Sequence, residues 1–177
     1  GDLGDKQKEM VGRVVETSRH LLGLVNDVLD LTKVAAGRLD LSLDAVPLRP
    51  VLLRAASQVQ PLADSKGLEV RVDCLDDVLL VADETRLAQV LINLAANAVK
   101  FTEHGRVTLR MEEKAGWGVV HVDDTGPGIP RSELERVFEE FHQVEAGHAR
   151  RAGGTGLGLA IARWVTELHG GRIEVAD

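Results

Sequence analysis

A chain of 177 residues with 44% hydrophobic content can fill one ordinary domain, with room for an appendage. Its net charge of −7 argues against nucleic acid as the main partner, and any polyphosphate would have to be met by locally placed cations. The single cysteine, Cys74, excludes a disulfide framework and a cysteine metal cluster, which fits a reducing, cytoplasmic compartment. No apolar run reaches membrane-spanning length, and no signal peptide opens the chain.

In chain order, residues 6–36 read as one long helix. Val11, Val15, Ser18, Leu22, Val25, Leu29, Thr32 and Ala36 keep a heptad-like rhythm, and Val14, Leu21, Val28 and Ala35 widen the stripe. A stripe this wide suits a helical bundle and cannot be buried by one helix. Gly37 is placed to cap it. A short alternating strand is expected at 39–43. Pro50 then marks a helix start, with helix from Val51 to Lys66, Gly67 as its stop, and Pro61 expected to kink it or split off its last turn. Strands are expected at 68–72 and 78–82. Asp83 caps a strong helix, Glu84 to Phe101. Strands at 107–111 and 119–122 flank the turn signal Ala115-Gly116-Trp117-Gly118. Ser132 is a candidate cap for a short helix through Phe138, Leu157 to Leu168 reads helical, and a last strand is expected from Ile173 to Val175. Alternating strands among more numerous helices predict an α/β (α+β) two-layer sandwich, a mixed sheet covered by helices on one face. The division expected is 1–38 for the bundle helix and 39–177 for the sandwich.

Three blocks carry chemistry. The first is GGTGLGLAIA, residues 153–162, where glycines lead into a helix and allow backbone N–H groups to approach a phosphate. It is not a Walker A loop, because Leu159 and Ala160 follow Gly158 where Lys and Ser/Thr are needed. Nor is it a dinucleotide fingerprint, because Leu159 or Ile161 falls at the last glycine position and no strand precedes it. A turn without a ligand remains open at this point. The second block is the helix Gln89 to Thr102, with Asn93, Asn97 and Lys100 on one face. Asparagine is a poor residue for a helix interior, so two in register need a reason. An amide oxygen suits magnesium, and a lysine suits phosphate. The third is Val119 to Pro130, a strand running into Asp123-Asp124 and a glycine turn. Either acid can accept a hydrogen bond from an exocyclic amine, and either can simply cap the turn.

Together these blocks resemble the ATP-binding domain of the sensor histidine kinases of two-component systems, over nearly the whole chain. The resemblance runs through Asn93-Leu-Ala-Ala-Asn97-Ala-Val-Lys100-Phe101, Asp124-Thr-Gly126-Pro-Gly128-Ile129, Val137-Phe138-Glu-Glu-Phe141, Gly153-Gly154-Thr155-Gly156-Leu157-Gly158-Leu159 and Leu168-His169-Gly170-Gly171. It implies a Bergerat-type fold that binds ATP and Mg2+. It implies catalytic roles for Asn93 and Lys100, magnesium coordination by Asn97 with Asn93 in support, and phosphate contact by Lys100. It also implies that Phe101 borders the ribose and that Asp124, rather than Asp123, takes the adenine amino group. Gly126, Gly128 and Ile129 would line the base. Gly154, Thr155, Gly156, Leu157, Gly158 and Leu159 would line the phosphates, under a lid at 142–152 from which Arg150 or Arg151 reaches them.

The same resemblance makes the N-terminal helix the second helix of a dimerisation hairpin, in Ser18-Arg-His20-Leu-Leu and Asn26-Asp27-Val-Leu-Asp30-Leu. None of the six histidines is followed by an acid, so the phosphoacceptor helix is expected to be absent and autophosphorylation by this chain alone is not expected. The last strand also looks cut short. The implied function is γ-phosphoryl transfer to a histidine on another segment, with onward relay to a response regulator receiver domain. A homodimer through the N-terminal helix and a cytoplasmic location, in a parent protein that membranes can anchor, belong to the same expectation. The alternative is a nucleotide-binding regulatory module or an ATPase of the same fold. Hydrolysing relatives place a glutamate where Asn93 stands, and an amide cannot act as a general base.

Overall fold

The computed structural model describes residues 4–35, 39–74, 78–143 and 155–176. The chain divides into two units, Gly1–Leu39 and Asp40–Asp177. Among its described residues the first holds one helix, α1 (Asp5–Ala35), along which Val14, Leu21, Leu22, Val25 and Leu29 are exposed. Among the described residues no helix is long and apolar enough to cross a membrane.

The second unit runs β1 (Asp44–Pro47), α2 (Leu48–Lys66), β2 (Glu69–Asp73), β3 (Leu79–Ala82), α3 (Glu84–Phe101), β4 (Arg106–Lys114), β5 (Trp117–Asp124), a 3-10 turn (Arg131–Glu133) and α4 (Gly158–Leu168). The mixed α/β sandwich is present, but its strands form two sheets rather than one. β1 pairs antiparallel with β3, while β2, β4 and β5 form a mixed sheet in that order, parallel then antiparallel. Leu80 of β3 lies against Gly118 of β5, where a Cβ would collide with it.

Period-two geometry sorts the larger sheet into two faces. Val70, Val72, Val107, Leu109, Met111, Val120 and Val122 belong to the core side with α2 and α3. Glu69, Arg71, Thr108, Arg110 and Asp123 occupy the other, where Arg71 pairs with Glu69 and Arg110 with Asp123, both at 2.6 Å. These pairs are half exposed, so each contributes little to stability. The core itself centres on Leu48, Leu52, Leu91, Val99, Val107 and Leu109, all at most 2% exposed. Each such leucine contributes roughly 1.5–3 kcal/mol by burial. A second cluster joins α4 to α3 through Val90, Leu157, Ile161, Ala162 and Val165.

Several expected elements shift, each for a local reason. The strand expected at 39–43 lies at Asp44–Pro47 instead, because its partner β3 reaches only that far: Asp44 faces Ala82, and the Ser42 N–H turns to the Asp83 carboxylate at 3.1 Å. Helix α2 begins at Leu48, not after Pro50, which falls in the first turn where its missing N–H leaves no helical bond unmade. Pro61 neither splits nor ends α2, which is continuous to Lys66; the proline sits on the exposed side, so the carbonyl of Ser57 can turn to water. Residues 132–138 form the 3-10 turn and further turns rather than a helix capped by Ser132. Ile173 to Val175 finds no strand partner among the described residues; Ile173 packs on the α3–α4 cluster instead.

Asp83 caps α3 as its position predicts, with its Oδ1 accepting from the Arg86 N–H at 3.0 Å. Burial pushes its carboxyl up, but the N–H groups of Arg86, Ser42 and Thr85 outweigh that and hold it below the usual carboxylate range. Its own N–H donates to His169 Nε2 at 3.0 Å, while His169 Nδ1 donates to the Val165 carbonyl at 2.7 Å, so the ends of α3 and α4 are tied together. We expect Asp83→Ala to lose about 1 kcal/mol in urea unfolding at neutral pH. Because the folded carboxyl is the more acidic, this contribution is present above the ordinary carboxylate pKa and fades as pH falls through the folded value. The gap between parent and variant should therefore close in acid, as unfolding at stepped pH will measure.

Candidate functional site

Helix α3 is buried on three sides. Leu91, Ala95, Ala98 and Val99 face α2 and the sheet, and Val90 and Leu94 face α4. What remains is the stripe of Asn93, Asn97 and Lys100, all half-buried. These side chains are only partly exposed, so the stripe is not a freely solvated face. Asn93 Nδ2 donates to the Gly158 carbonyl at 3.2 Å, joining the asparagine block to the first turn of α4. Lys100 Nζ stands 4.9 Å from the centroid of the Phe101 ring, and burial pushes its ammonium pKa down. A ligand anion placed there would oppose that shift, because opposite charge favours the protonated form.

Strand parity separates the two acids that the residues alone left open. In the β4–β5 register Asp124 faces Val107 and Asp123 faces Thr108. Asp123 therefore lies on the outer face, where Arg110 holds it. Asp124 is on the helix side, with Oδ1 accepting from the Gly126 N–H at 2.7 Å and lying 3.4 Å from the Thr102 hydroxyl. Thr102 is fully buried at the C-terminal end of α3. A Cβ on Gly126 would come within 2.7 Å of that Asp124 oxygen and 3.2 Å of the Thr102 hydroxyl, so a side chain there would crowd the turn against the end of the helix. Gly128 takes a positive φ of 71°, and Ile129 next to it is partly exposed.

At the third block, Thr155 Oγ1 accepts from the Leu157 N–H at 3.2 Å, and Leu157 is buried. Among the described residues no side chain caps α4, and the N–H groups of Gly158 and Leu159 begin a helix without an intrahelical acceptor. That end carries partial positive charge and suits an anion. Gly156 has a φ of 72°, and its carbonyl accepts from the Phe141 N–H at 3.0 Å. His142 Nε2 meets Glu133 Oε2 at 2.6 Å, fastening the segment after the 3-10 turn. Gly154, Arg150 and Arg151, and with them most of the expected lid, lie outside the described residues.

Thus Asn93, Asn97, Lys100 and Phe101 share the second half of α3. Asp124, Gly126 and Thr102 gather at its C-terminal end, and Gly158, at the start of α4, adjoins Asn93. Thr102 is the residue that sequence reasoning passed over. It closes the quoted α3 block, but nothing in the sequence shows that it is buried against Asp124. Among the described residues no group of His, Cys, Asp or Glu forms a metal site by itself.

The family profile described as histidine kinase-, DNA gyrase B-, and HSP90-like ATPase matches residues 82–177. The circadian input-output histidine kinase CikA of Synechococcus elongatus is 38% identical over 99% of this chain and 24% of its own length. The signal transduction histidine-protein kinase BarA of Escherichia coli is 36% identical over 97% of this chain and 20% of its own. The chain therefore spans about a quarter or less of these curated relatives. Among solved structures, full-length ShkA in complex with AMPPNP superposes with a TM-score of 0.82 at 38% identity, covering 100% of this chain and 37% of that one. A nucleotide-free catalytic domain of the histidine kinase ThkA gives 0.66 at 28% identity, over 77% of this chain and 89% of that one.

A Cβ at position 156 would lie 2.7–2.9 Å from the backbone of Phe141 and His142, on a left-handed φ. Gly156→Ala should therefore lose more than about 1 kcal/mol of stability, which urea titration against the parent will measure.

Proposed function

The chain belongs to the histidine kinase-, DNA gyrase B-, and HSP90-like ATPase family as a catalytic ATP-binding module of the sensor histidine kinase type, and from that premise we propose that it binds Mg-ATP and donates the γ-phosphoryl group to a histidine. One observation carries the site: the polar stripe of α3 meets the Asp124–Gly126 turn at its C-terminal end and the uncapped start of α4 at Asn93. Adenine belongs at Asp124, whose carboxylate accepts from the exocyclic amine while Gly126, Gly128 and Ile129 admit the flat ring. Phe101 borders the ribose. The phosphates belong between Lys100 and the N–H groups of Gly158 and Leu159, with Thr155, Gly156 and Leu157 shaping the turn. Gly154, Arg150 and Arg151 complete this reading as proposed phosphate neighbours.

The residues present fit magnesium held through the nucleotide, since Asn97 offers a neutral, half-buried amide oxygen on the stripe shared with Lys100. Bound magnesium would neutralise phosphate charge and orient the γ-phosphoryl group. The protein's part is positioning and charge complementarity, the usual basis of phosphoryl transfer. Asn93 favours transfer over hydrolysis: its amide cannot accept a proton from water, and its Nδ2 is committed to the Gly158 carbonyl. The exposed apolar stripe of α1 supports a bundle, hence a homodimer and an acceptor histidine on a neighbouring helix of the whole protein. A response regulator receiver domain would take the phosphoryl group next. A cytoplasmic setting supplies the ATP.

Calorimetric titration with Mg-ATP and Mg-GTP tests the site. ATP-selective binding is expected, lost in Asn97→Ala. Asp124→Asn should cut the preference for ATP over GTP by about tenfold or more, because a carboxylate that only accepts is replaced by an amide that can present a donor. Asp123→Asn should leave binding nearly unchanged, its ion pair being exposed. Equal behaviour of the two aspartate variants would refute the adenine assignment.

A second expectation concerns pH. Lys100 binds phosphate only when protonated, and burial lowers its pKa. ATP affinity should hold at neutral pH and fall in alkali as Lys100 deprotonates, earlier than an exposed lysine would. Lys100→Met should bind weakly throughout and show no such alkaline limb.

A further inference from the structure

Lys66 closes α2, 33 to 36 residues away from the groups it meets. The left-handed Gly67, with its N–H donating to the Asp64 carbonyl, ends the helix there and sends the chain on to the buried Leu68, whose N–H returns to the Ala63 carbonyl. The Lys66 side chain reaches across to the end of α3. Its Nζ donates to the carbonyls of Val99 at 2.8 Å, Lys100 at 2.6 Å and Thr102 at 3.1 Å. An ammonium has three N–H donors, and all three are used. The acceptors are two of the last carbonyls of α3 and that of its C-cap Thr102, which otherwise have no intrahelical donor and lie at the negative end of the helix dipole.

These are the backbone groups on which the proposed nucleotide site rests. The Lys100 carbonyl belongs to the residue whose ammonium is to meet phosphate. Phe101 lies between two of the held carbonyls. Thr102, the third, is fully buried with its hydroxyl beside Asp124 Oδ1, and its N–H donates to the Ala98 carbonyl at 3.0 Å. We propose that Lys66 is a positioning residue for nucleotide binding: by capping α3 with its ammonium, it sets the depth and angle at which Lys100, Phe101 and the Thr102–Asp124 pair face the ligand. This inference rests on the Mg-ATP reading above. Lys66 itself touches no part of the proposed ligand.

The test is calorimetric Mg-ATP affinity in Lys66→Met, which keeps the aliphatic stem and removes the donors, at a temperature where circular dichroism shows parent and variant fully folded. A loss of about tenfold or more is expected, as for the removal of hydrogen bonds from a charged donor. Rescue separates positioning from general damage. In a Cys74→Ala background, Lys66→Cys should regain parent-like affinity after aminoethylation, which restores an ammonium at lysine length, and should stay weak after carboxamidomethylation. If Lys66→Met does not fold, Lys66→Gln, shorter and neutral, is titrated on the same criterion. Unchanged affinity in a chain whose parent binds ATP overturns the positioning role. So does a loss that aminoethylation fails to repair. Absence of ATP binding by the parent is a distinct result: it overturns the nucleotide reading and this inference with it.

Discussion

The site depends on one constraint, the burial of helix α3 on three sides. A helix between α2, α4 and a sheet must be apolar over most of its circumference. Leu91, Ala95, Ala98 and Val99 meet that demand toward α2 and the sheet, and Val90 and Leu94 meet it toward α4. Small alanines at 95 and 98 are almost fully buried and allow close approach. The polar stripe left over is therefore a narrow line rather than a broad solvated face. Asn93, Asn97 and Lys100 occupy that line.

The ends of α3 are held as firmly as its middle. At the N-terminus the Asp83 carboxylate caps the first turn, and His169 brings the end of α4 onto the same residue. At the C-terminus the Lys66 ammonium gathers three carbonyls, and Thr102 turns the chain against Asp124. By comparison, the ion pairs on the outer sheet face lie in water, where an exposed pair is worth about 0–1 kcal/mol. The contacts that matter are those that fix a buried helix end, where unpaired carbonyls or N–H groups cost more than a surface pair yields.

Two of the glycines in the candidate blocks sit where other groups approach closely. Gly126 lets a turn shut against Thr102 and Asp124, and Gly156 lets the chain before α4 lie on the backbone of Phe141. A methyl group at 156 would meet the backbone of Phe141 and His142, and one at 126 would crowd the Asp124 carboxylate.

Local pattern alone determined the long helix at the start, the Asp83 cap, the extent of α3, the Gly67 stop and the glycine blocks, because each rests on a periodicity or a cap within one segment. It also places Val120, Val122 and Asp124 on one face of a strand, a parity that separates Asp124 from Asp123 once it is known which face is buried. Which face is buried is a tertiary fact, and so are the other departures. The first strand sits at Asp44–Pro47 because β3 pairs there, and Ile173 packs on α4 because no neighbouring strand among the described residues claims it. The Lys66 cap and the burial of Thr102 were beyond reach for the same reason. Their partners lie tens of residues away in sequence, and hydrogen bonds between distant segments leave no period in the chain.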